Sequence, residues 1–391
     1  MVKELVISLY LLSVKLIFNC FKILHLNDKV TFVVSFGDNT RFVYEEMKRQ
    51  QVKSKVVFLC KKKCISEFKT YSMPVIPIET FNLFNIIRSC YHLATSKLIF
   101  VDNYFGFLSV TEFKKEVTCI QLWHAAGAIK TFGLMDNSAK KRSKRAQLRF
   151  KHVYEKFDKI VIGSDTMGEL FIRAFHSKDK KLLRKGIPRT DFFYDNKVLE
   201  HSKVKKKSLF NDKKVILYAP TFRENELDKT RIQIDLDLME KKLSHNFVII
   251  LRLHPAVRST LNLEKKYPDF VYDYSSCHDI NYLLLLTDIL ITDYSSIPFE
   301  FSLLHRPMIF FPYDLEKYKS ERGLWNEYNR LVPGPIVRNT DEIIELIQNN
   351  DFDIDRIKLF SKVWNKYSQG QSSEKIVEYL FSDKKRKISK G

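Results

Sequence analysis

Glycine is scarce in this chain of 391 residues, which contains only 11. None of the signatures G-x-G-x-x-G, G-x-x-x-x-G-K-[ST] and G-x-S-x-G occurs in it. These signatures mark dinucleotide-binding enzymes, P-loop NTPases and nucleophile-elbow hydrolases, respectively. The sequence therefore argues against all three classes.

Cysteine is also infrequent, and its spacing shows no metal-binding pattern. Of the six cysteines only Cys60 and Cys64 are close together, and no histidine lies near enough to complete a zinc motif. The segments 235–237 and 351–353 fit a loose D-x-D pattern, but neither follows a predicted strand. We therefore expect reduced thiols, no metal site and no obligatory cofactor.

Positive charge is abundant, because 66 Lys and Arg against 46 Asp and Glu give a formal net charge of +20. Such an excess favours a polyanionic partner. The partner could be a nucleic acid, an anionic lipid surface or a phosphorylated substrate. The densest basic segments are 140–152 and 384–387. No zinc-finger, RNP or basic-zipper pattern is present, which argues against nucleic acid.

The N-terminal segment 4–24 is apolar but carries charges. Lys15, Asn19 and Lys22 are spaced by four and three residues, so they fall on one stripe of a helix. This stripe argues against a membrane-spanning helix, and no cleavage site of a signal peptide follows. We predict an amphipathic helix over 1–27 that lies in a membrane interface. The alternative is an ordinary first helix packed on its domain.

Short runs rich in β-branched and aromatic residues alternate with helical patterns along the rest of the chain. The runs are continuously apolar, as in parallel strands buried on both faces. This predicts an α/β, GT-B-like fold with two doubly wound Rossmann-type domains facing an interdomain cleft. The predicted strands are 29–35, 56–59, 97–101, 118–122, 159–162, 214–218, 247–251, 288–292 and 307–311.

A polar and basic stretch at 203–208 separates the two sets of predicted strands. We place the domain boundary at this stretch. The predicted parts are the helix 1–27, an N-terminal α/β domain over 28–200, a C-terminal α/β domain over 201–375, and a basic tail over 376–391.

Ligands of doubly wound sheets bind beyond the carboxyl ends of the strands, so the residues after each strand are candidates for the site. After 118–122, a histidine that titrates near neutral pH is followed by small residues that allow a ligand to approach closely. A single histidine in such a place is more often structural. The candidates here are Trp123, His124, Ala125, Ala126 and Gly127.

Three later strand ends carry cations and hydroxyls that suit phosphate. Arg252 and His254 alternate onto one side of their strand. Ser295 and Ser296 are helix-capping types, and a helix N-terminus attracts anions, although simple capping explains them equally well. The candidates are Pro220, Thr221, Arg223, Arg252, His254, Ser295, Ser296 and Glu300, joined by Arg189 and Arg322 from loops able to reach the cleft. The whole set suits phosphoryl chemistry on a nucleotide diphosphate.

Six segments, taken in order, form a specific pattern. They are WHAAGAIKTFG at 123–133, GIPRTD at 186–191, ILYAPTFR at 216–223, RLHP at 252–255, ITDYSSIPFEF at 291–301 and RPMIFFPYDLEKY at 306–318. The set resembles the CDP-glycerol glycerophosphotransferase family of teichoic acid synthesis, from about residue 29 to WNKYSQGQSS at 364–373. Polymerases of that family typically carry Trp-His-Gly-Thr-Pro, so the variant at 123–127 and the segment 101–105 resemble its wall teichoic acid primases.

The resemblance implies an enzyme that transfers glycerol phosphate from CDP-glycerol to a lipid-linked disaccharide, N-acetylmannosaminyl-N-acetylglucosaminyl-diphospho-undecaprenol, and releases CMP. It implies that domain 28–200 faces the acceptor and domain 201–375 binds CDP-glycerol. It also implies that His124 and His254 are essential. The implied CDP-glycerol site is lined by Trp123, Ala125, Ala126, Gly127, Arg189, Pro220, Thr221, Arg252, Ser295, Ser296 and Glu300.

With its basic segments and apolar N-terminus, such an enzyme is expected to be peripheral, on the cytoplasmic face of the cell membrane. Two alternatives stay open. One is a polymerase of glycerol or ribitol phosphate, and the other is a non-enzymatic basic protein that binds membranes or nucleic acid. The sequence does not decide which histidine is the base or whether glycerol or ribitol is carried.

Overall fold

The computed structural model describes residues 2–223, 232–253, 263–277 and 279–388. The chain divides into two compact units. Unit 1 comprises Met1–His124, Phe132–Asp191 and Tyr367–Gly391, and unit 2 comprises Ala125–Thr131 and Phe192–Lys366. The predicted boundaries lie after residues 200 and 375. In the structure the chain passes from unit 1 to unit 2 after Asp191 and returns to unit 1 at Tyr367.

Unit 1 contains a parallel sheet of seven strands in the order β3-β2-β1-β4-β5-β6-β7. The order reverses between β1 and β4, and a doubly wound sheet has its ligand crevice at such a reversal. The strands are β1 Asn27–Val34, β2 Lys55–Cys60, β3 Val75–Pro77, β4 Ser96–Val101, β5 Thr118–Gln121, β6 Lys159–Ile162 and β7 Leu182–Arg184.

Unit 2 contains a parallel sheet of five strands in the order β10-β9-β8-β11-β12, which reverses between β8 and β11. The strands are β8 Lys214–Ala219, β9 Phe247–Leu251, β10 Val271–Asp273, β11 Ile289–Thr292 and β12 Met308–Phe310. The two sheets thus share the order 3-2-1-4-5 over their first five strands.

The helices of the described residues mostly connect these strands. In chain order they are α1 Val2–Lys22, α2 Asp38–Arg49, α3 Ile65–Phe68, α4 Leu83–Thr95, α5 Asn137–Lys140, α6 Lys144–Glu155, α7 Asp165–Phe175, α8 Asn196–Phe210, α9 Leu236–Leu243, α10 Leu263–Lys266, α11 Ile280–Leu286, α12 Ile297–Phe301, α13 Leu315–Arg322, α14 Tyr328–Leu331, α15 Thr340–Asn349, α16 Ile354–Trp364 and α17 Ser372–Ile388. Short 3-10 turns include Gly106–Val110 and Pro188–Tyr194.

The cores explain why the strands are apolar throughout. In unit 1, Phe32 of β1 is in register with Phe58 of β2 and Phe100 of β4, with ring centroids 5.4 and 4.8 Å apart. In unit 2, Ile216 and Ile249 are in register and fully buried. All residues of β9 and residues 29–34 of β1 are buried, so both faces of these strands are covered, as is typical of parallel sheets.

Helix α1 presents distinct faces. Val14 and Phe18 are buried on the face that packs on α4. At 100° per residue, the opposite face carries exposed leucines. These are Leu5, Leu9, Leu12 and Leu16. By length and composition, Glu4–Lys22 is the one stretch within the described part of the chain that could cross a membrane, and 11% of the tested window is buried.

The C-terminal helix α17 belongs to unit 1 and contains most of the predicted basic tail. Ile376, Val377 and Phe381 are buried in it, and Glu374 lies 3.0 Å from Arg49 of α2. The predicted tail starts at residue 376. In the structure this residue lies inside α17, which begins at Ser372 and carries core residues.

Candidate active site

A buried aspartate organises the strand ends of unit 1. Asp102 directly follows β4 and is 1% exposed. Its carboxylate accepts hydrogen bonds from the backbone N–H groups of Ser35, Phe36 and Gly37, at 2.8–3.0 Å, in the loop after β1. Gly37 has a φ of 100°, which glycine adopts without strain. Asp102 therefore joins the two loops at the reversal of strand order.

Burial raises the pKa of the Asp102 carboxyl to about 6, while its bonds from the backbone N–H groups of Gly37, Phe36 and Ser35 act in the opposite direction. The ionised carboxylate is an acceptor only, so it matches three converging donors. Asp102 is consequently ionised at neutral pH despite its burial.

His124 lies three residues after β5, and its orientation is fixed by stacking of its ring and by a hydrogen bond of its Nδ1. Its ring stacks on Phe36, with centroids 4.1 Å apart, and on Trp123, at 4.3 Å. Its Nδ1 lies 3.2 Å from the backbone carbonyl oxygen of Asp102. A carbonyl oxygen only accepts, so Nδ1 carries the proton and Nε2 holds the lone pair. The neutral ring is thus oriented to take a proton at Nε2.

Trp123 has a φ of 58°, in the left-handed region that a bulky residue rarely occupies. Its N–H donates to Gln121 Oε1 at 2.8 Å, and its carbonyl accepts from Asn39 Nδ2 at 2.9 Å. Such a conformation costs about 1–3 kcal/mol and persists where its surroundings fix it, often at functional sites. Trp123 therefore turns the chain sharply just before His124.

Arg189 is joined to this group through Asn39. Its backbone N–H donates to Asn39 Oδ1 at 3.0 Å, and its Nη1 lies 3.5 Å from Asp38 Oδ2. The residue is 6% exposed. Unit 1 therefore brings together Trp123, His124 and Arg189, three of the predicted site residues.

Unit 2 repeats the aspartate arrangement at its own strand reversal. Asp293 directly follows β11 and is buried. Its Oδ1 accepts from the N–H of Thr221, which lies just beyond Pro220 at the end of β8, at 2.8 Å. Its Oδ2 lies 2.8 Å from Arg223 Nη1. Pro220, Thr221 and Arg223 are thus fixed beside the crevice of this sheet.

Arg223 is held by two carboxylates. Besides Asp293, Asp314 accepts from its Nε at 3.0 Å and from its Nη2 at 2.8 Å. Burial lowers the pKa of Arg223, but the Asp314 hydrogen bond and the Asp293 charge raise it above its ordinary value overall. Tyr294 and Tyr318 also lie about 5 Å from its guanidinium. Through these contacts Arg223 stabilises the loop that follows β8.

Two further donors face the strand ends of unit 2. Arg252 directly follows β9, and its Nη1 donates to the Ser275 carbonyl at 2.6 Å. Within the described residues, neither Arg252 Nε nor Thr221 Oγ1 has a hydrogen-bond partner, although both are buried. Ser295 Oγ accepts from the Ile297 N–H at 3.3 Å, at the start of α12. His254 lies outside the described residues.

The loop that follows His124 belongs to unit 2. Glu300 of α12 is 1% exposed, and its Oε1 accepts from the Ala126 N–H at 3.1 Å. Thr131 Oγ1 donates to the carbonyl of Arg322 at 2.8 Å. Unit 2 therefore gathers a second set of predicted residues, which are Ala125, Ala126, Gly127, Pro220, Thr221, Arg223, Arg252, Ser295, Ser296, Glu300 and Arg322.

Gly127 has no room for a side chain. A Cβ built on it would lie 2.3 Å from Phe299 Cδ1, and that ring is fixed against Phe360 and Trp364 at 5.2 and 4.6 Å. Gly127→Ala should lower the free energy of unfolding by about 1–3 kcal/mol, the usual cost of overpacking a core. Urea unfolding measures this loss.

Gly106→Ala is the matched control, because the nearest atom to its added Cβ is 3.7 Å away. A Gly127→Ala protein as stable as the Gly106→Ala protein would contradict the packing described for Phe299.

Within the ranges that the structure describes, no group of three His, Cys, Asp or Glu side chains is placed to hold a metal ion. The six cysteines are free thiols. That the chemistry needs no obligatory metal stays a prediction.

Sequence reasoning missed three residues that organise the site, Asp102, Asn39 and Asp293. A signal existed for two of them, since Asp102 and Asp293 each directly follow a buried strand. For Asn39 no signal was available, because its two partners are distant in sequence.

Comparison with solved structures supports the fold. The chain is similar to the wall teichoic acid polymerase TagF, with a TM-score of 0.80 and 25% identity, covering 99% of this chain and 97% of that one. The α/β class with parallel sheets, and the likeness to a GT-B-like enzyme of this type, are thereby confirmed.

Comparison with known sequences then gives the family. The model of the CDP-glycerol:poly(glycerophosphate) glycerophosphotransferase family matches residues 16–382. The teichoic acid glycerol-phosphate primase of Bacillus subtilis (strain 168) is 36% identical over 355 residues, which are 90% of this chain and 91% of the primase. The teichoic acid poly(ribitol-phosphate) polymerase of Bacillus spizizenii (strain ATCC 23059 / NRRL B-14472 / W23) is 32% identical over 88% of this chain and 54% of the polymerase.

The chain belongs to the CDP-glycerol:poly(glycerophosphate) glycerophosphotransferase family. It is a transferase of teichoic acid biosynthesis. The predicted family and enzyme class are confirmed, and the alternative of a non-enzymatic basic protein is set aside.

Proposed function

We propose that this protein transfers one glycerol phosphate unit from CDP-glycerol to a membrane lipid-linked disaccharide, N-acetylmannosaminyl-N-acetylglucosaminyl-diphospho-undecaprenol. CMP is the second product, and the step primes a wall teichoic acid chain. The observation that carries the proposal is the fixed geometry of His124, in a chain whose relatives include a glycerol-phosphate primase.

His124 acts as the general base. The acceptor hydroxyl attacks the phosphorus that carries the glycerol, and its proton passes to His124 Nε2. A new P–O bond to the sugar forms while the P–O bond to CMP breaks, and CMP leaves with the bonding electrons. The Asp102 carbonyl, which accepts from Nδ1–H, supports the positive charge that the ring gains.

Unit 2 binds the donor. Thr221 Oγ1 and Arg252 Nε are buried donors at the carboxyl ends of β8 and β9, where a nucleotide diphosphate binds in a doubly wound sheet. Ser295 and Ser296 offer hydroxyls beside them. Glu300 was predicted to line the CDP-glycerol site, but its contact with the Ala126 N–H favours a role in positioning the loop 125–127. His254 stays a second predicted essential residue.

Arg189, which Asn39 joins to Trp123, is assigned to offer a cation to the diphosphate. Its backbone is fixed by Asn39, and Asp38 orients its guanidinium. Charge-assisted hydrogen bonds of this kind offset the charge that develops on the departing CMP. Arg322 stays a candidate for the same task.

The primase function is favoured over that of a polymerase by the degree of identity. The chain is 36% identical to the glycerol-phosphate primase and 32% identical to the poly(ribitol-phosphate) polymerase. The variant Ala125–Gly127 points the same way. A polymerase of glycerol or ribitol phosphate is the second candidate.

The acceptor's lipid requires the enzyme to work at a membrane. The exposed leucine face of α1 and the basic segment 140–152 suit peripheral attachment to an anionic leaflet, on the cytoplasmic side. Each Lys or Arg near such a surface contributes about 1 kcal/mol.

Donor identity is tested by thermal unfolding with added ligand. CDP-glycerol at 100 times its dissociation constant should stabilise the protein by about 2.7 kcal/mol. CDP-ribitol at the same concentration should stabilise it less. If CDP-glycerol gives no shift, the proposed donor is wrong, and if CDP-ribitol gives the larger shift, the protein carries ribitol phosphate.

A further inference from the structure

A cavity of about 340 Å³ lies beside α1 within unit 1. Two arginines, Arg142 and Arg149, are among the residues that line it. The rest of the wall is mainly apolar and aromatic. It includes Val6, Ile7, Tyr10, Leu11, Phe107 and Phe150.

The mouth of the cavity is surrounded by exposed apolar side chains. Phe81 lines the cavity and is 86% exposed, and Val6 lines it at 43%. Leu83 and Phe84, which follow Phe81, are exposed as well. The leucine face of α1 lies on the same helix as Val6. Exposed apolar clusters of this kind mark membrane or partner contacts, so the lining residues Phe81 and Val6 suit the entry of an apolar chain.

The charges at the cavity favour an anion. Glu4 Oε1 lies 3.3 Å from Arg149 Nη2, and Glu79 lies 2.9 Å from Lys61. The Arg142 guanidinium lies 5.4 Å from the Phe150 ring centroid. The charged residues that line the cavity are thus two arginines and one carboxylate, Glu79, and the other cations of the basic segment 140–145 are close to Arg142 in sequence.

We propose that this cavity binds the diphosphate and the first isoprene units of a polyprenyl diphosphate, the lipid part of the acceptor. The inference rests on the proposed function and names the site at which its lipid substrate is held. The volume is near the lower end of the range for small-molecule sites, 300–1,000 Å³. The cavity therefore takes the part of the lipid next to the diphosphate, and the remaining chain stays in the bilayer.

The wall of the cavity is connected to the proposed base. Tyr104 lines the cavity, and its ring lies 4.8 Å from that of Phe150. Tyr104 follows Asp102 by two residues, and the Asp102 carbonyl accepts from His124. One short loop therefore contributes both to the cavity wall and to the orientation of the base.

The tail-binding part is tested by filling the mouth. Val6→Trp should weaken the binding of geranylgeranyl diphosphate more than tenfold, because the indole occupies the entrance. Leu5→Trp is the matched control, since Leu5 neighbours Val6 on α1, is 62% exposed and does not line the cavity. The affinity of the Leu5→Trp protein should change less than twofold. Equal affinities of the two variants would overturn the proposal.

The headgroup part is tested at an exposed position, where loss of folding is not expected. Arg142→Gln should weaken geranylgeranyl diphosphate about tenfold, whereas Lys144→Gln, outside the cavity, should leave its affinity unchanged. Geranylgeraniol should bind more weakly than the diphosphate, and inorganic diphosphate should displace the lipid only in large excess, because it makes the headgroup contact alone. Equal binding of geranylgeraniol would refute the headgroup contact, and full displacement by an equal concentration of inorganic diphosphate would refute the tail contact.

Failure of this inference is distinguishable from failure of the proposed function. If the wild-type protein binds geranylgeranyl diphosphate in the Val6-dependent way but does not transfer glycerol phosphate, the proposed function fails and the cavity assignment stands. If the wild-type protein transfers glycerol phosphate and Val6→Trp leaves the KM for the lipid acceptor unchanged, the cavity assignment fails and the function stands.

Discussion

Replacing His124 by alanine should lower the rate of CMP release from CDP-glycerol and lipid acceptor by about 10²–10⁴-fold, the usual contribution of a general base. The reason is that no other group is assigned to take the proton of the acceptor hydroxyl. The KM for CDP-glycerol should change little, because the donor is assigned to unit 2. Steady-state kinetics of CMP release measure both quantities.

His124→Asn separates the base from a merely structural histidine. Its Nδ2 takes the place of Nδ1 and can still donate to the Asp102 carbonyl, but the amide cannot take up a proton, so we expect the same loss of rate with little loss of stability. His201→Ala, at an exposed position of α8, should keep full activity. Near-wild-type CMP release by the His124→Asn protein would remove His124 from the base role.

Asp102→Ala should have the second large effect, on stability and activity together. The change leaves the N–H groups of Ser35, Phe36 and Gly37 without their acceptor, and each buried, unsatisfied group costs about 1–3 kcal/mol. The free energy of unfolding should fall by about 3 kcal/mol or more in urea titrations. The rate of CMP release should fall too, since Phe36 stacks on His124.

Asp102→Asn is the conservative control, because its one carbonyl oxygen keeps part of the acceptor function. It should lose less stability than Asp102→Ala. If the two variants are equally stable and fully active, Asp102 is not a positioning residue for His124.

The raised pKa of the Asp102 carboxyl also predicts that the free energy of unfolding depends on pH. Its pKa is about 6 in the folded protein against an ordinary value of 3.8. A carboxyl whose folded pKa is raised stabilises the fold most below pH 4, and this stabilisation is lost as the pH rises through 6. Relative to Asp102→Asn, the wild-type free energy of unfolding should fall by up to about 3 kcal/mol between pH 4 and pH 7. A constant difference between the two proteins would contradict this.

The sequence predicted the central strands well because their apolar runs are long. All nine predicted strands are present within a residue or two of the structure. The strands β3, β7 and β10 were not predicted. Each is only three residues long and lies at the edge of its sheet. Runs this short carry too few residues for a pattern. The equally short edge strand β12 was predicted because it lies within the longer apolar run 307–311.

The candidate site was predictable in its residue types but not in its connections. His124 and Thr221 were found because they follow apolar runs. The assignment of the loop 125–131 to unit 2 was not predictable, since it depends on the contact of Ala126 with Glu300, 174 residues further along the chain. Likewise, Asn39 joins Trp123 to Arg189 through contacts that no local pattern reveals.

The account depends on a single transfer of glycerol phosphate to a lipid-linked sugar. Incubating the protein with radiolabelled CDP-glycerol and synthetic disaccharide-diphospholipid, and measuring the mass of the lipid product, tests this directly. We predict that the acceptor gains one glycerol phosphate and that CMP appears in equal amount. A ladder of longer products would identify a polymerase instead, and an acceptor of unchanged mass would contradict the account.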